Sequence, residues 1–129
     1  MDRQIIIAID FDDTIVESNF PTIVKEMPNA IKIIKELQDT GYFIILWTCR
    51  NGRVLDEAVE WLAERDVVFD SVNNNSPRNL KDYSGLVAET GEGRKIFADT
   101  YIDDKNVGGF IGWDKIRDIL LPCPKKQVL

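Results

Sequence analysis

Acidic and hydroxyl side chains follow apolar runs at three points along this chain. The run IIIAID ends at Asp10, IILWT ends at Thr48, and TYIDD ends at Asp103 and Asp104. If these runs are parallel strands of one sheet, their ends share one edge, and Lys95, just before the last run, could join them. Asp and Thr after a strand are also common turn and helix-cap residues. Agreement among three strand ends favours a shared site.

Carboxylates gathered at one edge of a sheet repel one another unless a cation binds them. With an effective dielectric constant of about 20, two like charges about 4 Å apart cost about 4 kcal/mol. The chain has no histidine and only two cysteines, Cys49 and Cys123, which excludes Ser-His and Cys-His nucleophile systems and His-ligated zinc. Oxygen ligands favour Mg²⁺. A carboxylate–Mg²⁺ site beside a lysine suits phosphoryl transfer, because metal and lysine balance charge while the carboxylate attacks.

The elements that must position these residues alternate between strand and helix patterns. Continuous apolar runs predict buried strands at 4–9, 42–47, 67–72 and 100–104. Apolar stripes at helical spacing predict three helices, one beginning near Pro28 and ending at Gly41, one ending near Asp66, and one after Gly109 that ends at Pro122 and Pro124. The alternation predicts a Rossmann-like α/β/α sandwich of three layers with a mainly parallel sheet.

The stretches between these elements set the expected domain organisation. Residues 14–27 are polar and mixed, residues 73–94 form a long polar loop, and residues 122–129 form a loose tail. Neither 14–41 nor 73–94 is long enough to fold as a domain of its own, since independent folding usually needs about 40 residues or more. We therefore expect residues 1–129 to form a single domain without an inserted cap domain.

Composition narrows the classes of partner. The net charge is −6, with 44% apolar and 29% charged residues, so a broad basic face for nucleic acid is not expected. The acidic balance also disfavours anionic membrane surfaces, and the sequence predicts neither a signal peptide nor a membrane span. A cytoplasmic protein is predicted. A phosphorylated substrate remains compatible, because a bound metal can reverse the local field.

Four segments resemble, in order and spacing, the motifs of the haloacid dehalogenase-like (HAD) superfamily. DFDDTIV (10–16) is similar to its first motif, an apolar strand followed by Asp-x-Asp-x-Thr. WT (47–48) resembles the second, RK (94–95) the basic third, and YIDDKN (101–106) the acidic fourth. The resemblance covers roughly residues 4–120, and it implies a small phosphatase of the type without a cap.

The resemblance implies a role for each motif residue. Asp10 would attack phosphorus and form an aspartyl phosphate, and Asp12 would protonate the leaving oxygen and later deprotonate the hydrolytic water. Mg²⁺ would take the Asp10 carboxylate, the Asp12 backbone carbonyl and a carboxylate of the fourth motif, with Asp103 favoured over Asp104. Thr48 would hydrogen-bond the phosphoryl oxygens, and Lys95 would neutralise their charge.

Several neighbouring residues have more than one interpretation. Cys49 and Arg50 follow Thr48 and are candidates for substrate contact; the alternatives are a small strand-end residue and a surface arginine. Lys81 could replace Lys95 in the basic role. Position 13 is Asp where the superfamily often has Gly, and Asp tolerates a left-handed backbone, so we expect Asp13 to fit there.

Four other functions stay open at this point. A receiver-like signalling domain also uses a phosphorylated Asp, but there the third strand ends at the phosphoacceptor, and here it ends at Asn73. The others are a binding domain without activity, a phosphatase acting on polynucleotide or protein ends, and an enzyme that transfers phosphoryl between two substrates, as a mutase does. We favour a small phosphorylated metabolite, with local loops at 17–27 and 73–94 or a homo-oligomer partner covering the site.

Overall fold

The computed structural model describes residues 3–121, which contain six strands and five helices. In chain order they are β1 (Ile6–Ile9), β2 (Val16–Asn19), β3 (Thr22–Glu26), α1 (Ala30–Thr40), β4 (Phe43–Leu46), α2 (Gly52–Ala63), β5 (Ser71–Val72), α3 (Pro77–Asp82), α4 (Ser84–Thr90), β6 (Thr100–Ile102) and α5 (Trp113–Leu120).

Four of the strands form a parallel sheet in the order β5-β4-β1-β6. β1 lies at the centre, pairing Ile6 to Ile9 with Phe43 to Leu46 on one side and Ile7 to Ile9 with Thr100 to Ile102 on the other. All four residues of β1 are buried, as expected for a strand covered on both faces. The α/β class and the mainly parallel sheet are confirmed and are consistent with a Rossmann-like fold.

The core lies on both faces of the sheet, because alternate residues of a strand point to opposite sides. Ile7 and Ile9 belong to the larger cluster, to which α1, α2 and α5 contribute buried residues. Ile6 and Ala8 belong to a smaller cluster with Ile96, in the segment that leads into β6. This packing fixes the positions of the carboxyl ends of β1 and β6.

The three helices predicted from apolar stripes are present. α1 buries the predicted stripe, and Gly41 ends it with φ of +104° while its N–H donates to the Gln38 carbonyl at 3.0 Å. α2 ends at Ala63, slightly before the expected end near Asp66. α5 begins at Trp113, which is buried. The predicted helix end at Pro122 and Pro124, and the loose tail at 122–129, lie outside the described residues.

Two connections expected to be irregular contain regular structure. Residues 14–27 include the antiparallel hairpin β2–β3, whose residues are mostly exposed, so its pattern lacks the apolar alternation of a half-buried strand. The 73–94 loop contains α3 and α4, and neither helix buries a residue. The expectation of a long loop was therefore wrong; without a buried face these helices leave no periodic signal in the sequence.

The strand predicted at 67–72 is much shorter than expected. Only Ser71 and Val72 pair with β4, opposite Ile45 and Leu46. Val68 is 75% exposed, although the residue before it, Val67, is buried in the larger core cluster. β5 is at the edge of the sheet, where it has a neighbour on one side only. Among residues 3–121, no helix is long and apolar enough to cross a membrane.

Candidate active site

Three carboxylates meet at the carboxyl ends of the central strand and its neighbour β6. Asp10, Asp103 and Asp104 each offer an oxygen, and these oxygens lie within 4.8 Å of one another. All three residues are half-buried. The backbone N–H of Asp10 donates to the Ile102 carbonyl at 2.9 Å, which holds the two strand ends in register. The parallel pairing of β1 and β6 thus produces the cluster that the sequence predicted.

The buried hydroxyl of Thr14 contacts this cluster. The Thr14 Oγ1 lies 3.3 Å from an Asp10 carboxylate oxygen and 3.4 Å from one of Asp104, and Thr14 is fully buried. The backbone carbonyl of Thr14 accepts a 2.7 Å hydrogen bond from the indole N–H of Trp113. The first residue of α5 therefore braces the turn that follows β1.

Burial and like charge change the acidity of the cluster. Burial, the hydrogen bond with Asp104 and the charge of Asp103 raise the pKa of Asp10 to about 8. Burial pushes the pKa of Asp104 upward, but its hydrogen bonds with Asp10 and Lys105 outweigh that effect, and its pKa is lowered. Asp10 is therefore driven towards its neutral form and Asp104 towards its charged form. A divalent cation bound here would offset the repulsion among the carboxylates.

The basic group at the cluster differs from the one predicted. The Lys105 ammonium lies 3.2 Å from the Asp104 carboxylate, and its side chain is 83% exposed. The Lys95 ammonium instead lies over the Tyr101 ring, 4.9 Å from its centre. Lys81 is in the last turn of α3. Among the lysines of residues 3–121, Lys105 is the one paired with this cluster, so Lys95 in the basic role stays a prediction that the structure does not support.

The Asp12 carboxylate points to a different set of partners. Arg50 donates to both of its oxygens, from Nε at 2.9 Å and from Nη2 at 2.7 Å. The Ser18 hydroxyl donates to Asp12 at 2.6 Å. Asp13, between the two sites, has φ of +58°, so the prediction of a left-handed backbone there is confirmed.

Arg50 is neither a surface residue nor free to bind substrate with its full set of donors. It is 1% exposed, and beyond Asp12 it donates to the carbonyls of Val54 and Pro21. Both sequence interpretations of Arg50 require an accessible guanidinium. In the structure the guanidinium is occupied by protein oxygens instead, because the hairpin folds over it.

Thr48 follows β4 and is oriented through its backbone. Its N–H donates to the Asn73 side-chain carbonyl at 2.8 Å, and its hydroxyl accepts from the Arg50 N–H at 3.1 Å. Asn73 follows β5 and has a left-handed φ of +55°. Cys49 beside it is a free, exposed thiol. Asn73, at the end of β5, therefore positions Thr48.

Sequence reasoning assigned no role in this site to four residues, which are Thr14, Ser18, Asn73 and Lys105. Two of them carried a signal, since Thr14 and Lys105 lie inside segments that were already singled out, 10–16 and 101–106. Ser18 and Asn73 act through contacts across the fold, to Asp12 and Thr48. Those contacts depend on the hairpin, which periodicity did not predict, and on the end of the edge strand, which is shorter than predicted.

Fold and site together define a parallel α/β protein with a carboxylate cluster at the strand ends. Comparison with a solved structure shows which family the chain belongs to. The conserved protein coded by a locus of Bacteroides thetaiotaomicron is 37% identical to this chain, with a TM-score of 0.78 and 98% of each chain covered. The chain therefore belongs to the same family as that conserved protein, whose description states no activity. No family model and no curated protein matches the chain.

Proposed function

We propose that this protein is a Mg²⁺-dependent phosphohydrolase that cleaves a phosphate monoester through an aspartyl phosphate on Asp10. The observation that carries the proposal is the meeting of Asp10, Asp103 and Asp104 at adjacent parallel strand ends, with oxygens within 4.8 Å of one another. Ligands of α/β sheets bind beyond the carboxyl ends of the strands, which is where this cluster lies. The motif resemblance to HAD-like phosphatases points to the same residues.

The donor set of the cluster fits Mg²⁺. It consists of carboxylate oxygens, the ligands that this cation prefers, and the chain has no histidine to favour zinc. Burial and acidic neighbours raise the pKa of Asp10 to about 8, so the charged form of Asp10 is disfavoured in the absence of a cation. Mg²⁺, when bound, would balance this charge and that of a transferring phosphoryl group. Asp10 and Asp103 are the proposed ligands, with Asp104 as the alternative to Asp103.

The remaining residues would bind and protonate the substrate. An oxygen of Asp10 forms a bond to phosphorus and the bond from phosphorus to the leaving oxygen breaks. Asp12, once it has left its pair with Arg50 and taken up a proton from water, gives that proton to the leaving oxygen. A water molecule then attacks phosphorus, Asp12 takes a proton from it, and Asp10 is released. Thr48 would hydrogen-bond the phosphoryl oxygens. Lys105, already paired with Asp104, is better placed than Lys95 to balance their charge.

The proposal includes the substrate class and how the site is covered. We propose a small phosphorylated metabolite and a three-layer α/β/α core without a cap domain, in a cytoplasmic protein. In the described chain, a hairpin and α1 separate β1 from β4, and two short helices stand between β5 and β6. The hairpin reaches the site through Ser18, so it could supply local cover, with a homo-oligomer partner as the alternative.

A screen of phosphate esters tests the proposal. Sugar phosphates, nucleotides, phosphopeptides and polynucleotide ends are incubated with the protein and Mg²⁺, and inorganic phosphate is measured. We expect release from at least one small ester, loss of release in a chelator, and recovery on adding Mg²⁺. Asp10→Asn should remove turnover without lowering the melting temperature. Asp103→Asn should raise the Mg²⁺ concentration needed for half-maximal turnover.

The exposed Asp56 of α2 provides the matched control, because Asp56→Asn makes the same chemical change away from the cluster. Turnover by Asp10→Asn at the wild-type rate would refute the nucleophile. Full activity in excess chelator would refute the metal. Release from polynucleotide or protein ends alone would replace the small metabolite with a large substrate that covers the site itself.

A further inference from the structure

A cavity adjoins the carboxylate cluster on the side of β6. It has a volume of about 130 Å³ and lies between β6, the loop that follows this strand, and α5. Asp103, one of the three clustered carboxylates, forms part of its wall. The cavity therefore begins at the candidate active site and continues along the edge of the sheet.

The wall of this cavity is mainly apolar. Most of it consists of aliphatic and aromatic side chains, which are those of Tyr101, Ile102, Phe110, Ile116, Ile119 and Leu120. Within residues 3–121, Asp103 is the one charged residue on the wall. The side-chain amide of Asn106, also on the wall, donates to the Asp103 carbonyl at 2.9 Å. A second phosphate, or another anionic group of a ligand, meets no cationic side chain here.

Its size distinguishes this cavity from an ordinary packing defect. Protein interiors have few voids larger than a water molecule, whose share of liquid volume is about 30 Å³. The volume of about 130 Å³ is instead comparable to that of an apolar cavity of about 150 Å³ that binds benzene. Water in such a space has few polar partners, so an apolar group that displaces it gains affinity.

Apolar side chains around the mouth of the cavity are exposed. Ile111 and Ile119, both on its wall, are 53% and 62% exposed, and Val107 in the same loop is fully exposed. Single exposed apolar residues are common, but a group of them around one opening indicates a binding surface. An added peptide strand would pair poorly at this edge, because β6 has only three residues. A small apolar group fits the cavity better.

We propose that the cavity holds the organic part of the substrate, and that this part is an apolar or aromatic group of about the size of benzene. The inference rests on the proposed function and narrows its substrate class. A phosphoryl group on Asp10 lies next to the cavity, because oxygens of Asp10 and Asp103 are within 4.8 Å of each other. The hydroxyl groups of a sugar would lose their hydrogen bonds to water against this wall, which costs binding energy.

Three esters of primary alcohols test the proposal, because their leaving oxygens are chemically alike while their organic parts differ. Benzyl phosphate carries an aromatic ring, ethyl phosphate a single methyl group beyond the leaving carbon, and glycerol 3-phosphate a polar chain. We measure kcat and KM for each ester with Mg²⁺. Benzyl phosphate should have a kcat/KM at least about 10-fold above the other two, the lower end of the discrimination that an apolar pocket gives for one methylene.

Substitutions at Ile119 link this preference to the cavity. Ile119→Asn makes the wall polar at a residue that is already largely exposed, so the fold should tolerate it. It should raise the KM for benzyl phosphate about 10-fold with little change in kcat, and affect the other two esters far less. Ile119→Leu, which keeps the wall apolar, should keep most of the preference. The matched control is Ile5→Asn, the same change at an exposed isoleucine outside the cavity, which should alter none of these values.

Benzylphosphonate gives a measurement that does not depend on turnover, because hydrolysis of a phosphate ester does not cleave its carbon–phosphorus bond. With Mg²⁺ present, this compound should shift the amide NMR signals of β6 and α5 in the wild type. In Ile119→Asn the same shifts should require a higher concentration of the compound, and in Ile5→Asn they should match the wild type.

The outcomes separate this inference from the proposed function. If the wild type hydrolyses no phosphate ester, the phosphohydrolase proposal fails, and the benzylphosphonate titration alone decides whether the cavity binds an apolar group. If the wild type hydrolyses benzyl and glycerol esters equally well, or if Ile119→Asn slows all three esters equally, only the role of the cavity is overturned. A wild-type dimer that Ile119→Asn dissociates in light scattering would also overturn that role, because the cavity would then be an interface between two copies.

Discussion

Asp10 and Asp104, which follow β1 and β6, have pKa values shifted in opposite directions. Asp10 is pushed towards its neutral form by burial and by its neighbours, while Asp104 is kept charged by its hydrogen bonds with Asp10 and Lys105. Added positive charge would let both acids ionise at a lower pH. The sequence motif predicted that these residues would meet, but not the hydrogen bond from the Trp113 indole to the Thr14 carbonyl beside them, which only the fold brings about.

Asn73 offers a test of how Thr48 is positioned. Its side chain accepts the Thr48 N–H, and its backbone has φ of +55°, which glycine adopts freely and alanine does not. Both Asn73→Gly and Asn73→Ala remove the acceptor, so both should lower stability by about 1 kcal/mol and reduce turnover. Asn73→Ala should lose about 1 kcal/mol more than Asn73→Gly because of backbone strain.

Urea denaturation of the two variants, with phosphate release measured alongside, checks this prediction. Equal stability of the alanine and glycine variants would show that strain at position 73 is absent. Wild-type turnover in both would show that the hydrogen bond to Thr48 does not matter for activity.

Among the elements, those with a buried face could be predicted and those without one could not. The apolar stripe of α1 and the continuous apolar run of β1 are the residues that pack in the core, so hydrophobic periodicity predicts both elements. The hairpin and α3–α4 have almost no buried residues, and their formation depends on local hydrogen bonds. One such signal was present: Ser76 caps α3 by accepting the Asn79 N–H at 3.0 Å, with Pro77 as the first helical residue.

The contact of α5 with the turn after β1 makes a prediction at the level of elements. Trp113→Phe removes the N–H that the Thr14 carbonyl accepts and leaves that carbonyl without its partner. We expect a loss of about 1–3 kcal/mol of stability and weaker Mg²⁺ binding, since Thr14 also contacts Asp10 and Asp104. Chemical denaturation and isothermal titration with Mg²⁺ measure the two effects.

Trp61→Phe is the matched control. Trp61 packs against the larger hydrophobic core cluster, which also contains Trp113, and its ring makes a 5.9 Å edge-to-face contact with Phe11. It should lower stability less and leave Mg²⁺ affinity unchanged. Equal effects of the two substitutions on Mg²⁺ affinity would mean that the brace from α5 has no specific role at the site.

The acidic cluster should make the stability of the whole molecule depend on pH when no metal is bound. The pKa of Asp10 is about 8 in the folded protein against an ordinary value of 3.8, so between these values the folded state binds more protons than the unfolded state. Stability should therefore fall as pH rises from about 4 to about 8 and level off above that. The lowered pKa of Asp104 acts below about pH 4, outside this window. The chain has no histidine to mask the trend.

Urea midpoints at about pH 5 and about pH 8, measured in a chelator, test this prediction. The wild type should be less stable at the higher pH, Asp10→Asn should lose most of that difference, and Asp56→Asn should keep it. Added Mg²⁺ should restore stability at the higher pH by binding the folded state. A wild-type protein whose stability is the same at both pH values in the chelator would contradict the burial and coupling of Asp10.

At this scale the sequence predicted the class of fold and the edge of the sheet where the carboxylates meet, since both follow from alternating buried strands and helices. It did not predict which lysine pairs with the carboxylates or what holds Asp12. Lys95 precedes the right strand but lies over Tyr101, and Lys105 reaches Asp104 from the loop beyond it. The partners of Asp12, which are Arg50 and Ser18, reach it from other parts of the fold, and no local pattern encodes such contacts.

Chemical trapping of the intermediate tests the central proposal most directly. During turnover of a phosphate ester identified by the screen, the protein is treated with borohydride, which reduces an aspartyl phosphate to homoserine, and its peptides are sequenced by mass spectrometry. The account predicts homoserine at position 10, dependent on both substrate and Mg²⁺, and absent from Asp10→Asn. Steady turnover with Asp10 unmodified, or with the modification at another carboxylate, would contradict it.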